Sequence, residues 1–113
     1  MSVSITIRPA PGRYIVRAGG AIIGETERAL ELVEGSRPPV LYVPREDVAM
    51  ALLDPSDRHS TCPHKGEASY YTVATPEARL ENAVWSYERP IGGAEAIAGH
   101  LAFYEDKVKV EPR

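Results

Sequence analysis

Several things are scarce in this sequence, and each shortage narrows what the chain can be. Among its 113 residues there is one cysteine, Cys62. A single thiol excludes an internal disulfide and a multi-cysteine zinc site, and it fits a reducing compartment. No apolar run approaches the ~20 residues that span a bilayer, and the first residues lack a signal peptide's apolar core. The expected location is the cytoplasm, with no membrane partner. Positive charge is also short: 13 Lys and Arg against 16 Asp and Glu leave a net charge of −3. Nucleic-acid binding rests on a basic footprint that neutralises phosphates. The nearest approach to one is Lys107 with Lys109, so nucleic acid is not an expected partner.

What the chain has in quantity is punctuation. Ten prolines and nine glycines divide it into short segments, which favours strands and tight connections over long helices. Ser2–Arg8 alternates Val3, Ile5 and Ile7 with polar residues, the pattern of a half-buried strand. Met1–Ser4 and Pro112–Arg113 are expected to fray. Tyr14–Arg17 and Ala21–Gly24 flank Ala18-Gly19-Gly20 as a β-hairpin. Ala29–Val33, Val40–Val43, Ala68–Ala74 and Ala83–Tyr87 are further strand candidates. Leu101–Tyr104 and Val108–Val110 read as a second hairpin across Glu105-Asp106-Lys107.

Pro44–Leu53 is the best helix candidate. Proline suits a first helical position, Glu46 and Asp47 complement the helix dipole, and Val48 and Leu52 share one face. Asp54-Pro55 ends it and Ser56–Thr61 follows as a loop. Ala94–Ala98 reads as a short helical turn capped by Gly99. The expected fold is one mainly β domain, residues 1–113, of small folded-over antiparallel sheets with one or two short helices.

Chemistry is concentrated in Ser60–Tyr71. Pro63 pushes Cys62 into an extended conformation, and Gly66 permits a sharp reversal before the next strand. A thiol, an imidazole and an ammonium group then lie within four residues. Lys65 or a protonated His64 would favour the Cys62 thiolate, and His64 could serve as a general base. The structural alternative is a small buried cysteine beside an ordinary exposed Lys65-Gly66 turn. Trp85 and Tyr87 fall on one strand face and could floor a pocket or pack in the core. Cys62, His59 and His64 lack the spacing of a zinc site, so no metal is expected. His100 reads as solvated, and Glu25 and Asp47 read as exposed carboxylates rather than an acid–base pair. The Gly19-Gly20 and Gly24 glycines fit a hairpin better than a phosphate cradle.

Taken in order, Gly24-Glu25-Thr26, Tyr42-Val43-Pro44, Asp47-Val48 and Asp54-Pro55-Ser56-Asp57 resemble the family known as domain-of-unknown-function family 427. So do Thr61-Cys62-Pro63-His64-Lys65-Gly66 with Ala68 and Tyr70, then Trp85, Tyr87, Pro90, Ile97, Gly99 and Ala102-Phe103-Tyr104. The resemblance covers nearly the whole chain. It implies a β-tent (Mss4-like) domain, the architecture shared with methionine sulfoxide reductase B and several zinc modules. The paired CxxC motifs of those zinc modules are missing here, so their metal does not transfer, and no motif assigns Cys62 the reductase role. The family has also carried a nucleotidyltransferase label, but no Gly-Ser followed by an Asp-x-Asp pair occurs. The family pattern often has an aromatic residue where this chain has His64, which shifts weight to Cys62 and Lys65.

The functional expectation is a site for a small, anionic ligand at Cys62–Tyr70. Cys62, His64, Lys65 and Tyr70 would border it, Trp85 and Tyr87 would wall it, and no cofactor is expected. The alternatives are a non-catalytic interaction or structural module, with a homodimer through an exposed strand, and a nucleotide-related transferase.

Overall fold

A computed structural model describes residues 4–113. The expected first strand therefore begins inside the described chain only at its Ile5 half, and most of the Met1–Ser4 segment lies outside it. Among the described residues, ten strands form three antiparallel sheets. The first sheet has the order β1 (Ile5–Pro9), β4 (Leu30–Glu34), β5 (Val40–Tyr42). The second has β10 (Val108–Pro112) beside β2 (Tyr14–Ala18) and β3 (Ala21–Thr26). The third and largest runs β6 (Leu53–Cys62), β7 (Gly66–Ala74), β8 (Arg79–Ser86), β9 (Ala102–Phe103).

The mainly β expectation holds, while its helical part shrinks to three-residue 3-10 turns. Pro44–Leu53 is not a helix: it is two such turns, Arg45–Asp47 and Met50–Leu52. The reason is tertiary. Val48 bridges to Gly24, and the Ala49 N–H donates to the Ile23 carbonyl at 2.8 Å, so the backbone is drawn onto the edge of β3. A Cβ at Gly24 would lie 3.0 Å from the Asp47 carbonyl oxygen, so this approach depends on glycine. The Thr26 hydroxyl donates to Asp47 at 2.7 Å and clips the same contact from its side. Glu95–Ile97 is the third turn, in the expected place.

Two further expectations need correction. The supposed loop Ser56–Thr61 belongs to β6, which pairs with β7 on both sides of a bulge between Pro55 and His59. Ser56 sustains the bulge, accepting the Arg58 N–H at 3.1 Å and bonding across to Asn82. The last two strands are not a hairpin: β9 pairs with β8, whereas β10 pairs with β2. The intervening turn carries the chain from the third sheet to the second.

Apolar residues gather in two clusters. One centres on Val16, Ile23, Val43, Val73, Val84 and Leu101, between the second and third sheets. The other, with Leu32, Tyr42, Tyr70, Tyr87 and Ile97 among its members, lies where the first sheet meets the third. An isolated bridge between Val43 and Leu101 ties the end of the first sheet to the strand leading into β9. The second cluster is rich in tyrosine, and the site forms above it.

Candidate functional site

Pro63-His64-Lys65 makes the tight connection between β6 and β7, closed by the Cys62–Gly66 pair. The Lys65 N–H donates to the Cys62 carbonyl at 3.2 Å, and the Lys65 carbonyl accepts the Ile91 N–H at 2.9 Å. With Gly66 at φ +105°, the turn aims the Lys65 side chain inward. Lys65 is only 7% exposed, which overturns the reading of Lys65-Gly66 as an ordinary exposed turn. Its ammonium group meets Glu34, at the end of β4, at 2.5 Å. It also stands 5.7 Å from the centre of the Tyr87 ring. The hydrogen bond and charge of Lys65 hold the Glu34 carboxyl below its ordinary range, so Glu34 is ionised.

Around this ion pair lies a cavity of about 480 Å³. Its walls are aromatic: Tyr42, Tyr70, Trp85, Tyr87 and Tyr104 all line it. Trp85 and Tyr104 are in tilted contact at 4.7 Å between centroids, and Tyr70 lies nearly parallel to Tyr104 at 6.5 Å. Tyr42 meets Trp85 edge-on at 6.4 Å, and the indole N–H donates to the Tyr42 hydroxyl at 3.3 Å. The connection between β4 and β5 contributes Arg37, Pro38 and Pro39, and Glu105 follows Tyr104 at the rim. Two acidic and two basic side chains, Glu34 and Glu105 against Arg37 and Lys65, thus line the cavity and cancel.

The phenols are tuned in opposite directions. Burial pushes the Tyr42 phenol up to about 12, and burial also raises Tyr87. Burial alone would raise Tyr70 as well. Its hydrogen bond to Ser60, with Tyr104 and Arg58 beside it, outweighs that and lowers it. The Ser60–Tyr70 hydroxyl contact is 2.8 Å, and the Arg58 guanidinium stands 4.8 Å from the centre of the Tyr70 ring. Tyr104, the other member of this stacked pair, is raised, by burial first and then by Tyr70.

Of the six residues expected at the site, Lys65, Tyr70, Trp85 and Tyr87 are brought to the same cavity. Cys62 and His64 are not among its lining residues. Cys62 is half-buried and packs against the second apolar cluster. His64 is half-buried. Among the described residues, no group of three or more His, Cys, Asp and Glu side chains is placed to hold a metal ion. Asp47 bonds Thr26 and Arg28 while Glu25 faces Arg13, so those two carboxylates serve different contacts.

The lining residues not singled out from the sequence include Glu34, Tyr42 and Tyr104, and the charged Arg37 and Glu105. Tyr42 and Tyr104 lie inside the motifs Tyr42-Val43-Pro44 and Ala102-Phe103-Tyr104, which by themselves assign them no role. One compositional signal pointed to them: the chain has six tyrosines and one phenylalanine. A ring with a polar tip is favoured over plain phenyl where one end is apolar and the other must bond.

A family model described as "Domain of unknown function (DUF427)", whose short name carries a nucleotidyltransferase-type label, matches residues 6–112. No curated protein matches the chain.

Proposed function

The chain belongs to the DUF427 family, and we propose that this member is a small-molecule-binding domain whose site is the aromatic cavity between the first and third sheets. One observation carries the reading. Five aromatic side chains from four segments converge with a buried Lys–Glu pair around about 480 Å³. That size and lining, apolar walls with a few placed polar groups, is what small-molecule sites share. A structural clasp would need the ion pair but not the open volume beside it. The proposal is binding, and no reaction is assigned.

Trp85 is the only tryptophan, so its indole N–H gives a single, assignable NMR signal inside the site. Screening a fragment library should yield compounds that move this signal together with the amides of Leu32, Val40 and Tyr70. Tyr104→Ala, which removes a wall residue at the exposed rim, should weaken those compounds at least severalfold. Hits that cluster elsewhere on the surface, or none at all, refute the reading. Nucleotides with Mg²⁺ belong in the same screen, because the family label makes them the competing ligand class.

A further inference from the structure

Resting on that reading, we infer that the cavity takes a neutral, planar ligand with an amide-type edge, a carbonyl next to an N–H. The expectation from the turn alone was an anion drawn by Lys65. The partner that expectation lacked is Glu34, in contact with the ammonium at 2.5 Å. An entering anion would find that charge already answered and would face the carboxylates of Glu34 and Glu105. A cation fares no better. Aromatic cages attract cations through their ring faces. Here a positive charge already stands 5.7 Å from the Tyr87 ring centre, and Arg37 lines the same cavity. With both signs opposed, a neutral occupant is favoured.

The walls and the polar groups specify the rest. Ring faces in tilted and near-parallel contact offer stacking surface to a flat molecule. The polar groups left over on the lining supply both donors and acceptors. An ammonium has three N–H donors and a carboxylate two acceptor oxygens, and the Lys65–Glu34 contact uses one of each. The Tyr87 hydroxyl makes no hydrogen bond among the described residues, and since no buried side-chain nitrogen or oxygen there lacks a partner, this oxygen is open to the cavity that Tyr87 lines. A cyclic amide answers all three: its carbonyl accepts from Lys65 or Tyr87, and its N–H donates to the second Glu34 oxygen.

Four ring compounds of similar size test this through the Trp85 indole signal: pyridone, its N-methyl derivative, benzoate and benzyltrimethylammonium. Pyridone should bind at least about tenfold more tightly than the other three, since each lost or unmatched charged hydrogen bond is worth roughly that factor. Tyr87→Phe, which keeps the ring and its packing, should weaken pyridone about two- to tenfold. Glu34→Gln should transfer the preference to benzoate, because it leaves Lys65 unanswered. Equal binding of pyridone and its N-methyl derivative overturns the amide edge. Tighter binding of benzoate or the ammonium compound to the unaltered protein overturns neutrality while leaving a small-molecule site in place. If neither these probes nor any library compound moves the signal, the site itself is refuted. Tyr87→Phe retains the ion pair, so it reports even where Glu34→Gln fails to fold.

Discussion

Lys65 shows how much one unseen partner changes a residue. In isolation it is an exposed turn lysine and a natural anion trap; beside Glu34 it is half of a buried ion pair. Removing one member of such a pair strands the other charge, at a cost of about 3–5 kcal/mol, whereas replacing both by apolar groups is often neutral. Lys65→Met should therefore destabilise the domain by about that amount in urea melts, and Lys65→Met with Glu34→Leu should recover most of it. If the double variant is as unstable as the single, the pair is not what Lys65 contributes. The pH dependence follows from Glu34, whose folded-state pKa lies below the ordinary 4.5. Its contribution is fully present above that value and is lost as pH falls through the lowered one. Glu34→Gln should thus flatten the loss of stability below pH 4.5.

Tyr70 is the residue with the opposite lesson, since three neighbours reverse the effect of its burial. Its phenol should ionise below the ordinary 10.0, ahead of Tyr42, Tyr87 and Tyr104, which are all raised. In an absorbance titration of tyrosinate, Tyr70→Phe should remove the earliest step. An unchanged early step would show that Ser60 and Arg58 do not act on this phenol as their placement implies.

At the scale of elements, what was legible depended on the range of the forces involved. The Tyr14–Gly24 hairpin, β4, β5, β7 and β8 could be read because alternation and turn residues are local signals. The Pro44–Leu53 helix could not be corrected from the sequence, because the contact that defeats it comes from Gly24 on β3, 24 residues before its partner Val48. The bulge in β6 was hidden for the same reason: Asp-Pro-Ser-Asp is turn chemistry, and its partner Asn82 lies on β8. Gly24→Ala tests the first of these. Its added Cβ meets the Asp47 backbone carbonyl oxygen at 3.0 Å, and backbone gives way less readily than the end of a flexible side chain, so a loss of about 1–3 kcal/mol is expected. The loss should come with changed amide signals at Asp47 and Val48. A neutral substitution would mean that the turns pack loosely on β3.

For the whole molecule, the cavity lies where the first and third sheets meet. Its lining comes from β4 and β5 on one side and from the β6–β7 turn, β7, β8 and the segment after β9 on the other. The local signature Cys62–Tyr70 could disclose only the half of this that it carries. Glu34, Tyr42 and Tyr104 reach the cavity through strand pairings that no short motif records. A ligand there would bridge the first and third sheets, so its binding energy would oppose their separation as well as global unfolding. A ligand at a hundredfold excess over its Kd adds about 2.7 kcal/mol to stability. For a domain of this size that corresponds to a rise in Tm of roughly 10 °C. Amide hydrogen exchange should slow at the same time on β4, β5 and β7 while β2 and β10, in the second sheet, change less. Uniform protection of all three sheets would instead mean that they already open only together, and that the cavity is not a seam between separately mobile parts.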